Sequence, residues 1–414
     1  MRRNLTTWSP LLILVALGAL AGLGKFVESA RDADDAGFPR EIAVTSSLDR
    51  GPGSLRTALF MAMRAPHPVT IRIEAPRIDI EVPLPPVVAR HGLTVAGDSR
   101  DETLLRRTGQ VDEPVPLLDI VAEDVALRDF ALDAGGGIGI EVRGARTDIA
   151  GIGIRNASIG ILGTDVDGLS VRDSVFSASD YGVRLGGESA VVALTDNEFR
   201  DHRSSAVWIV MAGEPLAGIN EVRVAGNRFV GGRDGLVAAN VVIDVRGNRA
   251  EGFAGSGFML LDAQATVSDN RLIGSRGVGM QLRQLRNSNV AGNEIARHEQ
   301  VGLLIVDADG LQVSDNEVYN NGYGIVAVGL QPISATLRNN SVIGQTIDGL
   351  ITIGATPLLD GNHALRNRQA GIRILDLLYP DARIVEAVPR LANNVLSDNG
   401  FDDVLYGEYR VEAP

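Results

Sequence analysis

Residues 313–318 read Val-Ser-Asp-Asn-Glu-Val, and near copies precede them at 290–295 (Val-Ala-Gly-Asn-Glu-Ile) and 267–272 (Val-Ser-Asp-Asn-Arg-Leu). The same pattern stands at 245–250 (Val-Arg-Gly-Asn-Arg-Ala), 224–229 (Val-Ala-Gly-Asn-Arg-Phe) and 194–199 (Leu-Thr-Asp-Asn-Glu-Phe). Its polar mark falls at Asn197, Asn227, Asn248, Asn270, Asn293, Asn316, Asn340 and Asn362, spaced 30, 21, 22, 23, 23, 24 and 22 residues apart. Apart from the first interval this is a period of 21–24 residues. A period of that length signals a stacked-repeat architecture.

A second mark follows 8 or 9 residues after each of these Asn, at Gly235, Gly257, Gly279, Gly302, Gly324, Gly349 and Gly371, with Ala206 in the same slot. Short alternating runs such as Gly-Ile-Arg-Ile-Leu (371–375) start there. Each repeat therefore holds a strand, a turn at the Asn, a two- or three-residue strand, a corner, and a further strand from the Gly. No helical pattern of 10–15 residues intervenes, so βαβ units are excluded. Three short strands per repeat predict an all-β chain, a right-handed parallel β-helix in which each strand pairs with its copy ~4.8 Å away. The Asn mark is expected to be a structural ladder, each amide stacking on the next coil and satisfying turn backbone groups. Val313, Val318 and Ile325 are expected to point inward.

The register weakens upstream. Ser174 takes the Asn slot, Ala157 and Phe130 read as earlier versions of it, and Asn393 continues it downstream, 31 residues after Asn362. Excess residues predict loops at 211–219 and near 377–390. From residue 120 to 400 this makes roughly eleven coils, or ~50 Å of stack. Residues 41–119 read as strands at 41–44, 69–73, 78–82 and 93–95. Gly53 to Arg64 reads as an amphipathic helix that buries Leu55, Ala58, Leu59 and Met61 and caps the open N-terminal end of the core.

Composition agrees with a layered aliphatic core. Of 414 residues 45% are hydrophobic but only 4% aromatic, with 48 Gly and no Cys. The lack of Cys excludes disulfides, a thiolate nucleophile and Cys-ligated metal. The 52 acidic against 39 basic residues give a net charge of −13, which disfavours nucleic acid as a partner. Lys25 is the only lysine, so the body of the protein holds no Schiff-base or phosphate-loop lysine.

At the N-terminus, Arg2 and Arg3 precede an apolar run at 11–24. This pattern predicts a signal peptide or N-terminal membrane anchor over residues 1–30, with 31–40 as a tether. Residues 41–119 then form the cap and first coils, and 120–414 the main repeats and end coil. The protein is expected outside the cytoplasm, in the periplasm or at the cell surface, secreted or held at the membrane through residues 11–24.

Residues 45–58 contain Gly51-Pro52-Gly53-Ser54-Leu55-Arg56, which resembles the opening motif of secreted bacterial β-helix proteins, and Leu93 to Gly97 resembles the strand and turn that follow it. The coils at 120–400 are similar to the repeats of the pectin-lyase-like superfamily. That resemblance covers nearly all of the chain beyond residue 41 and implies the fold. It also implies a groove on one flank for polysaccharide, with envelope or extracellular polysaccharide, most of all an acidic one, as the leading ligand. A polyuronate C5-epimerase or polysaccharide lyase is the alternative, and an envelope scaffold or accessory protein that binds a protein partner is the second.

His202 and His298 share a register, each five residues after a ladder Asn, and are expected on one outward corner. Arg200, Arg203, Arg233, Asp234 and Arg276 cluster around them and, with His298, are the expected ligand contacts. Asp201 and His202 are the expected catalytic pair if the protein is an enzyme, because a base beside the sugar ring and an Arg on its carboxylate suit proton abstraction next to a uronate carboxyl. The loop at 211–219 is expected to overhang this flank. The chain lacks the Asp-Pro-His-Asp motif of alginate epimerases and the ordered Asn-Thr-Asp, Asp-Asp and His-Gly segments of polygalacturonase-like hydrolases. Asp165 with Asp167, and Asp307 with Asp309, read as turn residues rather than a calcium site. No cofactor and no metal ligand set is expected.

Overall fold

The computed structural model describes residues 37–109, 115–213, 220–329, 334–381, 383–401 and 404–411. The apolar run 11–24, residues 31–36 of the tether and most of the 211–219 loop lie outside the described residues. Among the described residues no helix is long and apolar enough to cross a membrane.

Each coil contributes three strands, and the chain winds as a parallel β-helix with three faces. Face A is a 14-stranded sheet of short strands such as Glu198–Arg200, Arg271–Ile273 and Glu294–Ala296. Face B is built from the strands at the Gly mark, such as Ser205–Met211 and Val301–Val306. Face C is built from those ahead of the Asn, such as Val242–Arg246 and Gln264–Ser268. Faces B and C merge into one 27-stranded sheet, because Ile159–Arg172 and Tyr181–Thr195 run continuously round the corner between them. Ile384–Val385 adds an antiparallel pairing to Leu377–Leu378 within the expected loop at 377–390.

The corner between C and A holds the Asn ladder. Asn270 Oδ1 accepts the Asn248 backbone N–H at 3.0 Å and its side-chain amide at 2.9 Å, while Asn270 Nδ2 donates to Val245 O. The pattern repeats from Asn197 to Asn362, with every member at most 2% exposed. Ser174 precedes it as expected, its N–H donating to Asn197 Oδ1. The rung after Asn362 is Asn394 rather than Asn393. Asn393 instead takes the left-handed φ of +53° that opens each corner. Asp196 (+54°), Gly226 (+66°) and Asp269 (+57°) do the same, and Asp, Asn and Gly are the residues that tolerate this region. That is the physical content of the recurring Asp-Asn and Gly-Asn pairs.

A second ladder, five residues further on, lines the A–B corner. It runs through Ser275, His298, Asn321, Gln345, Asn367 and Asn399, and each backbone N–H from Ser275 to Asn367 donates to the side chain of the next member. Ala157 belongs to this column, since its N–H donates to Ser179 Oγ; Ile152, not Ala157, is the ladder-one equivalent. The Gly mark is explained by close approach rather than by φ. A Cβ on Gly257 would lie 2.5 Å from Gly279 O, and one on Gly279 would lie 2.6 Å from Gly302 O.

The interior is aliphatic, with Val313, Val318 and Ile325 fully buried. An aromatic exception stacks along face A, where Phe176, Phe199 and Phe229 follow each other with ring centroids 4.9 and 5.1 Å apart. The N-terminal end is capped by the helix Leu55–Ala62, which buries Leu55, Ala58, Leu59 and Ala62. Met61, expected in that set, is 37% exposed, because the helix turns Ala62 to the core in its place. The Gly51–Arg56 stretch builds the helix start: Ser54 caps it by accepting the Thr57 N–H, and Arg56 donates to Asp49, Val82 O and Pro83 O.

Candidate functional site: corner arginines and a groove on face C

The residues expected at the site fall into three environments. His202 and His298 do share a register, but they face inward, at 1% and 2% exposure. The left-handed residue before each, Asp201 (φ +55°) and Arg297 (+61°), turns the chain so that the next side chain enters the core. His298 is fully engaged there: Nδ1 accepts the Ser275 N–H at 3.0 Å, so Nε2 carries the proton, which it donates to Leu272 O at 3.0 Å. The His202 ring packs 6.1 Å from that of Phe199, and its nitrogens make no close hydrogen bond, although they face the Ser179 and Phe176 backbone. Burial pushes both imidazoles down to about 4. The outward placement of this pair is thereby corrected: a sugar ring on the surface does not meet the His202 ring.

The arginines do stay outside. Arg203, Arg233 and Arg276 form one column on the A–B corner, since their backbone N–H groups donate to Ser179 O, His202 O and Phe253 O in turn, with Ala254 between the last two. Arg203 is held by Asp180 at 2.6 Å and Arg233 lies 3.6 Å from Asp234, whereas Arg276 makes no ion pair among the described residues. Asp234 accepts the Ser256 N–H at 2.9 Å, so it pins the next coil's turn. Arg200 lies apart from them, on face A, where it and Arg228 clamp Glu198 at 2.5 Å each. The two guanidinium groups, Arg200 first, hold the Glu198 carboxyl below its ordinary range. The 211–219 loop leaves from the opposite end of face B, after the strand Ser205–Met211 has crossed it by ~20 Å. It therefore starts away from the arginine column it was expected to overhang.

Face C carries a feature absent from those expectations, a groove of about 490 Å³ lined from Gly168 to Asn287. It crosses six coils, about 24 Å at the spacing of paired strands. Its central row is set by register: Ser170 pairs with Ala193, Ala193 with Arg223, Arg223 with Asp244 and Asp244 with Thr266. Small side chains at Ser170 and Ala193 keep one end of this row low. Glu221 and Gln264 stand one row aside. Asp244 is tied to Arg246 at 2.5 Å, but Arg223, exposed, makes no ion pair or hydrogen bond among the described residues. The groove thus sets one uncommitted guanidinium among two carboxylates, hydroxyls and amides. The signal for it lies in the sequence: aligned on the ladder, the position four residues before each Asn reads Ala193, Arg223, Asp244 and Thr266 in successive coils.

Among the described residues no group of three or more His, Asp or Glu side chains is placed to hold a metal ion.

The family described as right-handed β-helix region matches residues 215–362, the coils that hold most of the groove. No curated protein matches the chain. Among solved structures, 32 chains match. The Dettilon tailspike protein is 12% identical with a TM-score of 0.48, over 88% of this chain and 66% of that one, so the chain spans just under two thirds of that protein. The catalytic unit of an α-1,3-glucanase from Streptomyces thermodiastaticus is 14% identical with a TM-score of 0.47, over 89% and 70%. A mannuronan C-5 epimerase A-module from Azotobacter vinelandii is 15% identical with a TM-score of 0.41, over 92% and 99%.

Proposed function

We propose that the protein binds an acidic polysaccharide along the groove on face C, with Arg223 as the anchor for a sugar carboxylate. The observation that carries this is the uncommitted Arg223 guanidinium in the middle of an open groove six coils long. A groove of that length and openness fits a chain molecule better than a small metabolite. Glu221, Asp244, Thr266 and Gln264 supply acceptors and donors for hydroxyl groups, and the planar guanidinium suits a carboxylate. A nucleic acid would need more cation than one arginine among two carboxylates. A peptide would need a free strand edge, and every strand under the groove is paired on both sides. The charged n-region and apolar run at the N-terminus support a location outside the cytoplasm.

The test is affinity electrophoresis or calorimetry of the full chain with polyuronates and neutral glucans. Arg223→Ala is expected to weaken polyuronate binding about tenfold or more, the worth of a charged hydrogen-bonding partner, while Arg233→Ala on the corner leaves it unchanged. The reverse pattern would move the site to the A–B corner, and no binding to any polymer would end the carbohydrate reading. Proton NMR of the bound polymer in deuterated water checks the competing chemistry. Deuterium at C5 would replace binding by epimerisation, and unsaturated uronate signals would replace it by a lyase.

A further inference from the structure

The cap helix Leu55–Ala62 is apolar on two sides. At roughly 100° per residue, Leu55, Ala58, Leu59 and Ala62 share the side that closes the core. Phe60 and Met61 lie on the other side, 50% and 37% exposed. A helix that only plugged the core would carry polar residues there. Leu48, 69% exposed, stands in the loop leading into the helix. That loop follows the rim of the first coil, where Ser47 O accepts the Asp79 N–H. This end of the molecule is also its basic end. Residues 37–73 hold five Arg against Glu41 and Asp49, in a chain of net charge −13. The Asp49 side chain is 7% exposed and bound to Arg56, so Glu41 is the one exposed carboxylate of this stretch. Arg50 is exposed beside the helix start, 3.7 Å from Asp49. Arg64, exposed in the turn that closes the helix, makes no ion pair among the described residues.

We propose that the cap is a membrane-contact face. It rests on an anionic lipid surface with Leu48, Phe60 and Met61 at the boundary of headgroups and acyl chains, Arg50 and Arg64 on lipid phosphates, and the solenoid standing away from the bilayer. Exposed apolar side chains flanked by cations are the chemistry that such a surface takes. Chain geometry favours the same occupant. Residues 25–36 join the apolar run at 11–24 to Gly37, and twelve residues span at most ~40 Å in any conformation. Gly37 lies at the capped end, since Phe38 next to it packs on His67 just past the helix. The 14 strands of face A put the last coil about 60 Å from the first. A membrane entered by the apolar run is therefore within reach of the cap, and the molecule cannot stand on its last coil. A short tether holds cap and lipid at an effective concentration near millimolar, so a small patch suffices. Other occupants answer less of the surface. Residues 1–27 hold no Asp or Glu, so folding them back over the helix would leave Arg64 without a counter-charge. A second copy meeting it cap to cap would add cations where anions are needed.

The test uses the full chain in vesicles of phosphatidylcholine and phosphatidylglycerol, two to one. Because the chain has no Cys, single thiols carry an environment-sensitive fluorophore at chosen sites. Phe60→Cys reports the cap, Glu317→Cys reports face A, and Tyr406→Cys reports an exposed apolar site on the last coil. A lipid spin-labelled at its headgroup is expected to quench position 60 about threefold more strongly than either control, because only that site sits at headgroup depth. Adding Arg64→Gln to Phe60→Cys is expected to shift the equilibrium about fivefold toward a lifted cap, the worth of one cation near an anionic surface, and to leave the thermal transition in place. Replacing phosphatidylglycerol by phosphatidylcholine should act in the same direction. A chain that does not float with the vesicles, quenching equal at all three sites, or quenching at position 60 that ignores both charge changes overturns the proposal. So does a blue-shifted fluorophore at position 60 that the lipid spin label fails to quench, which would assign the cap to the chain's own N-terminal segment or to a second copy.

Discussion

His298 Nδ1 accepts the backbone N–H of Ser275 from the coil before it, at 3.0 Å. An imidazole does here what an asparagine amide does in the next coils, at Asn321, Asn367 and Asn399. The bond requires a neutral ring, because a protonated Nδ1 would point a hydrogen at another hydrogen.

This relationship makes stability depend on pH. His202 and His298 are buried neutral, with folded values pushed by burial from 6.5 to about 4. The unfolded chain therefore binds more protons than the folded one between those values, and stability falls as pH drops from about 6.5 to 4. The loss is on the order of 3 kcal/mol per histidine at the acid end. Denaturant midpoints at pH 7 and pH 4.5 measure it. His298→Asn, which installs the amide found elsewhere in this ladder, is expected to flatten the pH dependence by about half.

Removal of one rung of the first ladder should act locally but measurably. Asn270→Ala leaves the Asn248 N–H and side-chain amide without their acceptor in a site 1% exposed. A loss of about 1–3 kcal/mol is expected for each buried donor left unpaired. Hydrogen exchange should show it concentrated at the C–A corner of the adjoining coils. A uniform loss of protection over all coils would contradict a nearest-neighbour solenoid.

The Gly mark tests space rather than backbone conformation. A Cβ on Gly279 would stand 2.6 Å from Gly302 O and 2.6 Å from the His298 ring. Gly279→Ala should cost about 1–3 kcal/mol by overpacking. Ala206, which occupies the same slot in its own coil, should tolerate Ala206→Gly with a smaller effect, read as a shift in the thermal midpoint.

Arg56 holds the cap to the first coil through Asp49 at 2.7 Å and the Val82 and Pro83 carbonyls at 2.8 Å each. Arg56→Met keeps the stem but removes every donor. It should lower stability by roughly 2–4 kcal/mol, the sum expected for a largely buried charged pair and two backbone carbonyls losing their partner. Protease cleavage near residues 62–68 should rise before any change in the central coils.

The corner side chains show where sequence reasoning stops. The shared register of His202 and His298 was legible, since both follow a ladder Asn by five residues. Their direction was not. It hangs on the sign of φ at Asp201 and Arg297, and an arginine is not a residue from which a left-handed turn is normally read. Asn393 was misplaced by one residue for a related reason: in an Asn-Asn pair, the turn residue and the ladder residue have the same side chain. The groove was hidden differently. Arg223 and Asp244 are 21 residues apart, and each alone looks like an ordinary outward residue of an alternating strand.

The sequence by itself determined the coil. A 21–24 residue period, a polar mark and a glycine mark suffice for a parallel β-helix, because each coil interacts chiefly with its neighbours and every repeat restates the same local instructions. Tertiary structure alone decided what each column does. Backbone twist at the corners turned the two histidines from the surface into the core. Stacking brought side chains from six coils into a groove on face C. Such surfaces run across the chain rather than along it, so no single stretch of sequence contains them.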